Sequence, residues 1–128
     1  MDTGEVRFIG TVVEVNDDIS VIEIDKRFCP GLDKLDSYSE LDVLFWFHLR
    51  DDDKHRKVLK VVPRRHGETE PRGVFSTHSP SRPNPIGLTR VELVSVDWCR
   101  VTVNGLDAYE GSPIVDLKAV SKRRPGTF

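Results

Sequence analysis

The stretch Gly73-Val-Phe-Ser-Thr-His-Ser-Pro-Ser-Arg-Pro-Asn-Pro-Ile-Gly-Leu-Thr89 sets three prolines, Pro80, Pro83 and Pro85, within six residues. Each proline fixes its own φ, removes a backbone donor, and pushes the residue before it toward extended geometry. A helix is therefore excluded. A central strand is excluded as well, because a ladder needs the N–H groups that proline lacks. What remains is a stiff extended loop that loses less entropy on ordering than an ordinary connection. Arg82 and Asn84 stand between the prolines as polar groups on a rigid frame, and Gly87 permits close approach to the backbone. This is the profile of a ligand-positioning loop rather than of a plain surface connection.

Around that loop the chain reads as short strands. Val6 to Val15 and Ile19 to Asp25 flank Asn16-Asp-Asp18 and predict a hairpin, with Ile22 and Ile24 on one face and Glu23 and Asp25 on the other. Cys29-Pro-Gly31 breaks it, and Leu32, Leu35 and Leu41 predict a short helix or turn. Asp42 to Leu49 is apolar on both faces, as a buried strand would be. The mixed charges of Arg50 to Lys57 predict a solvated hairpin tip, after which Val58 to Val62 returns as a strand. Pro63 to Arg72 is a polar loop whose Arg64, Arg65 and Arg72 form a candidate phosphate-contacting patch, since forked guanidinium groups suit phosphate oxygens. Ile86 to Val96 is a strand whose alternation slips between Leu93 and Val94, which predicts a bulge. Asp97-Trp98 turns the chain into Cys99, Val101 and Val103 alternating with Arg100, Thr102 and Asn104, and Pro113 to Val120 is the last strand before a basic tail. Short strands separated by turn signals predict an all-β fold, a sandwich or a small closed or partly open antiparallel barrel with short helical connections.

A length of 128 residues predicts one domain, spanning 1–128. No apolar run approaches the roughly 20 residues needed to span a bilayer, and no charged-then-apolar start suggests a signal peptide. The two cysteines, Cys29 and Cys99, lie far apart with no metal-binding spacing, which predicts reduced thiols in a cytoplasmic protein and no zinc or other metal. A formal net charge of −2 provides no global field to attract RNA, so any nucleic-acid surface must be local. No dinucleotide-binding glycine fingerprint, P-loop, zinc-protease helix or nucleophile elbow occurs, so a cofactor here needs some other cradle.

The motif Gly73 to Leu88 resembles the signature of the TsaA-like (TrmO-type) family, which usually carries Arg where this chain has His78. Val43-Leu-Phe-Trp-Phe-His48 resembles the family's aromatic strand, and Gly105-Leu-Asp-Ala-Tyr-Glu-Gly-Ser-Pro113-Ile-Val-Asp-Leu-Lys118 its C-terminal block. The resemblance favours the barrel. It implies a homodimer that binds S-adenosylmethionine between two subunits and methylates the exocyclic amine of threonylcarbamoyladenosine beside the tRNA anticodon. Carried over by position, the implied cofactor contacts are His48, Leu49, His78, Leu88, Glu110, Gly111, Ser112 and Pro113. A sulfonium is favoured near carboxylates, which suits Glu110 and Asp107. Methyl transfer to a delocalised amine calls for a proton acceptor, and Asp107, Asp116, Glu110 and His78 are the candidates, with the choice among them open. Arg82 is expected to anchor substrate phosphate, or the loop through a carboxylate, and Asn84 to fix the loop or a substrate edge.

Two departures from the family pattern matter. Asn16-Asp-Asp18 closes tightly where family members carry a longer loop with a basic, glycine-containing segment, and His78 lacks the always-charged fork of arginine. These departures leave two alternatives: a methyltransferase acting on a small metabolite, and a non-catalytic barrel that binds nucleic acid or a partner through Arg64, Arg65, Arg72 and the basic tail.

Overall fold

The alternation read from the sequence closes into a six-stranded antiparallel barrel. The computed structural model describes residues 2–63, 67 and 69–120. Eight strands occur among them: β1 (Gly10–Asn16), β2 (Ile19–Ile24), β3 (Glu40–Trp46), β4 (Lys60–Val61), β5 (Arg72–Gly73), β6 (Ile86–Asp97), β7 (Arg100–Asn104) and β8 (Pro113–Ala119). The barrel order is β1-β2-β7-β6-β3-β8, and β4 pairs with β5 in a separate two-stranded ribbon. The chain divides into two compact units, the barrel (residues up to Trp46 and from Leu88 onward) and an insert, Phe47–Gly87.

Inward positions follow the period of two. Ile22 and Ile24 on β2, Leu41, Val43 and Phe45 on β3, and Val101 and Val103 on β7 are buried, as are Val12, Val91, Leu93 and Ile114. This set is the barrel core, and its removal from water is the main favourable contribution to folding. Three register shifts break the ladders: between Val12 and Glu14 on β1, between Leu93 and Ser95 on β6, and between Leu44 and Phe45 against β8. Each is an extra residue that bends and twists a strand, which a barrel of so few strands needs in order to close. The β6 shift sits where the sequence pattern slips, and it leaves Val94 45 % exposed. Gly10 lies between β2 and β8, and a Cβ there would run into the Glu23 carbonyl oxygen and the Ile24 side chain.

The β1–β2 hairpin pairs Asn16 with Ile19 across a two-residue turn, Asp17 taking a φ of 53°. The β6–β7 turn pairs Asp97 with Arg100, and Trp98 takes a φ of 54°. A tryptophan in the left-handed region costs about 1–2 kcal/mol relative to the right-handed one.

Two expectations need correction. Cys29 and Cys99 are joined in a disulfide, with Cα atoms 5.3 Å apart across 70 residues of sequence, so the reading of two reduced thiols is overturned. The bridge forms because Cys29 begins a 3₁₀ turn, Cys29–Leu32, and Cys99 starts the return into β7, where its carbonyl accepts the Ile24 N–H at 2.8 Å. The second correction concerns Arg50 to Lys57. Instead of a hairpin tip they enter a 3₁₀ turn, His48–Arg50, and a single-turn helix α1, Asp53–Arg56. The strand expected over Val58 to Val62 is shortened to β4 and lies in the insert, outside the barrel. The basic tail from Ser121 onward lies outside the described residues.

Candidate functional site

The barrel contributes one group of the expected residues, on the connection from β7 to β8. Gly105 (φ 95°) donates its N–H to the Asp18 carbonyl at 2.8 Å, which ties the start of this loop to the β1–β2 turn. At the far end Gly111 (φ 91°) donates to Val12 O at 2.7 Å, and Val12 N–H donates to Ser112 O at 3.0 Å. Ser112 N–H donates to Tyr109 O at 3.0 Å, and Ser112 is only 2 % exposed. The loop is thus sewn to β1 by its own backbone. The N–H groups of Gly111 and Ser112 serve the fold and Pro113 has none, so at that end the loop offers a ligand side chains and carbonyls.

Those side chains divide by engagement. Asp107 and Glu110 are exposed and have no ion-pair partner among the described residues. Asp116 is engaged, accepting the Leu117 N–H at 2.9 Å and pairing with Lys118 at 3.4 Å. Of the three carboxylates, Asp107 and Glu110 are the two with no hydrogen-bond or ion-pair partner among the described residues. Leu88, near the start of β6, is 51 % exposed and presents an apolar surface.

The insert carries the rest. His48 sits half-buried in the 3₁₀ turn after β3, and the adjacent Leu49 is 64 % exposed. The proline-rich loop is fastened from within and from α1. Arg82 donates through Nη1 to the carbonyls of Thr77 at 3.0 Å and Ser79 at 3.1 Å, which makes it a strut of its own loop. Arg56 on α1 donates through Nε to Pro83 O at 2.8 Å, through Nη2 to Asn84 Oδ1 at 3.4 Å, and through Nη1 to Asp51 Oδ1 at 3.1 Å. Phe47 N–H donates to Pro85 O at 2.7 Å, and Pro85 is fully buried. Hydroxyls complete the frame, with Thr77 Oγ1 accepting from Ser79 N and Ser79 Oγ from Ser81 N. His78 stays exposed on this frame, its side chain not used to hold the loop.

Asn84 accordingly fixes the loop, through Arg56. Arg56 is the residue that sequence reasoning missed: it lies in a mixed charge run, and its carbonyl partner is 27 residues away. The run earns a structural role through α1, where Asp52 caps the helix by accepting the His55 N–H at 2.8 Å and contacts His55 Nδ1 at 2.7 Å. The His55 backbone N–H, followed by its ring, holds the Asp52 carboxyl below its ordinary value. Arg72 lies exposed on β5, while Arg64 and Arg65 fall outside the described residues. Among the described residues there is no group of three or more His, Cys, Asp or Glu side chains placed to hold a metal, and no helix is long and apolar enough to cross a membrane.

Residues 12–123 match the family described as the tRNA-methyltransferase O N-terminal domain. The chain belongs to that family. Among curated relatives, an S-adenosyl-L-methionine-binding protein of Archaeoglobus fulgidus is 46 % identical over 106 residues, which cover 83 % of this chain and 72 % of the relative. A probable S-adenosyl-L-methionine-binding protein of Methanocaldococcus jannaschii is 40 % identical over 112 residues, covering 88 % and 89 %. A TrmO crystal structure from P. aeruginosa superposes with a TM-score of 0.68 at 25 % identity, and another TrmO crystal structure with 0.67 at 26 %. Those alignments take in 94 % and 97 % of this chain but 55 % and 64 % of the TrmO chains, so this chain spans less than two thirds of either.

Proposed function

We propose that this protein transfers the methyl group of S-adenosylmethionine to the exocyclic amine of threonylcarbamoyladenosine beside the tRNA anticodon. The cofactor is S-adenosylmethionine and the chemistry is methyl transfer, in keeping with the family and with the names of the relatives. The observation that carries the reading is the β7–β8 loop. A loop anchored by its backbone at both ends leaves Asp107 and Glu110 exposed near a buried Ser112, and carboxylates without cationic partners suit a sulfonium-bearing ligand. The residues fit the cofactor, which supplies an electrophilic methyl group when bound.

Everything else asked of the chain is positioning and proton removal. Asp107 or Glu110 accepts the proton released as the amine is methylated, since Asp116 is already engaged by Lys118 and Leu117. In the insert, Arg82 and Arg56 hold the proline-rich loop so that His78 is presented from a rigid backbone. Arg72, with Arg64 and Arg65, supplies the local cations for tRNA phosphates, and two copies of the chain assemble as a homodimer. A tRNA substrate implies a cytoplasmic protein, a compartment in which the Cys29–Cys99 disulfide is exceptional.

The two-residue Asp17-Asp18 turn supports a second reading, a small-metabolite acceptor, because it carries no basic segment to meet RNA. Incubating the purified protein with methyl-labelled cofactor, and separately with threonylcarbamoyladenosine-containing tRNA lacking this methylation and with a pool of small amines, distinguishes the two. Label recovered in a nucleoside one methyl heavier than threonylcarbamoyladenosine supports the first. Label in small molecules alone supports the second, and no transfer to either overturns both.

A further inference from the structure

The β6–β7 turn carries a feature that the methyl-transfer reading does not use. Trp98 is 70 % exposed although its backbone takes a φ of 54°, a turn position at which glycine or asparagine would be less strained. Its neighbour Cys99 is buried and locked to Cys29, so the turn is fastened to the barrel on the side away from solvent. Trp98 separates two hollows of about 500 and 330 Å³. The larger one is bounded by Trp98, Lys26, Asp25, Glu23 and Arg100.

Charge decides what that larger hollow suits. Glu23 is paired with Arg100 at 3.1 Å, and Asp25 with Arg27 at 3.1 Å. Lys26 is the charge left over: its Nζ lies 5.6 Å from the Trp98 ring centroid and it has no carboxylate partner among the described residues. An exposed indole, on a turn fastened by the neighbouring disulfide and next to an ammonium without a carboxylate partner, fits a ligand that is flat and aromatic at one end and anionic at the other. That is the chemistry of a nucleotide. An exposed cation–π contact is weak enough for a base to displace Lys26 from the ring and leave its ammonium to the phosphate.

We propose that Trp98 is a stacking platform for a base of single-stranded RNA, with Lys26 holding the adjoining phosphate. The inference rests on RNA being the substrate. The platform sits at the opposite end of β7 from the Gly105–Ser112 loop, roughly 17 Å away at ~3.4 Å per residue, so it grips the RNA remote from the reacting amine.

The test uses the full chain with Trp46→Phe, which leaves Trp98 as the sole tryptophan. Its fluorescence is titrated with a single-stranded RNA oligonucleotide in the absence of cofactor, so the outcome is independent of whether methyl transfer occurs. Quenching by RNA but not by inorganic polyphosphate is expected. Trp98→Ala should weaken binding, measured by anisotropy of labelled RNA, by about 5- to 150-fold, with Trp98→Phe recovering most of it. Lys26→Ala should reduce the slope of log affinity against log salt by about 0.7. Circular dichroism and thermal melting of Trp98→Phe show whether the turn still folds. Equal quenching by polyphosphate, or RNA affinity unchanged in Trp98→Ala, overturns the proposal. A failed methyl-transfer assay beside intact Trp98-dependent RNA binding overturns the catalytic reading and leaves this one standing.

Discussion

The Cys29–Cys99 bridge closes a loop of 70 residues, and removing it should be one of the most damaging two-residue changes available in this chain. A cross-link stabilises chiefly by restricting the unfolded chain. For 70 residues the loop-closure entropy of about 2.1 + 1.5R ln 70, near 15 cal/mol/K, corresponds to about 4.4 kcal/mol at 25 °C. The bridge also holds the 3₁₀ turn Cys29–Leu32 against the barrel, so the reduced protein loses local order there as well. The perturbation is Cys29→Ala with Cys99→Ala, and separately reduction of the native protein with a dithiol. Guanidinium unfolding followed by far-ultraviolet circular dichroism gives the stability difference. We expect a loss of roughly 2–4 kcal/mol in the double variant, together with a steeper denaturant dependence, because the freed unfolded chain exposes more surface. A loss under about 1 kcal/mol with an unchanged slope would refute the argument that this bridge constrains the unfolded state.

Three further outcomes follow from the packing and charges. Gly10→Ala forces a methyl against the Glu23 carbonyl where β1 begins, and should lower stability by about 1–3 kcal/mol in the same denaturation assay; an unchanged midpoint would mean β1 can move aside. Arg56→Ala should cost about 1–2 kcal/mol by releasing Pro83 and Asp51, with Arg56→Lys recovering little because one ammonium cannot span both; hydrogen exchange at the Phe47 amide should accelerate, and full rescue by lysine would contradict the strut. Asp42 accepts two hydrogen bonds from Arg90, at 3.0 and 3.2 Å, and these hold its carboxyl below the ordinary value. A depressed carboxylate stabilises above its unfolded pKa of about 4 and loses that contribution as pH falls through the folded value, so Asp42→Asn should melt lower than the native protein at pH 7 and converge with it below about pH 4; a gap independent of pH would contradict the pairing.

What was legible in the sequence was what local alternation encodes. The inward faces of β2 and β7, the slip at Val94 and the start of β8 at Pro113 each follow from residues within a few positions of one another, and so does the rigidity of the proline-rich loop. The illegible parts depend on distant partners. Nothing near Cys29 announces Cys99, because their proximity is created by barrel closure across 70 residues. Arg56 looked like one more solvated cation, since neither the helix turn that aims it nor the Pro83 carbonyl that receives it is local. Arg82 was legible as an anchor, but not its choice of backbone carbonyls within its own loop over a carboxylate or phosphate. Among the candidate carboxylates, no sequence pattern announces that Asp116 pairs with Lys118 while Asp107 and Glu110 have no such partner.

Calorimetric titration of the purified protein with S-adenosylmethionine asks whether this chain holds the cofactor. Binding near one cofactor per chain is expected, weakened in Glu110→Gln, which removes a carboxylate without disturbing the sewn backbone, and weakened again in His78→Ala. No heat of binding up to millimolar cofactor, from a protein whose circular dichroism shows a folded barrel, would contradict it.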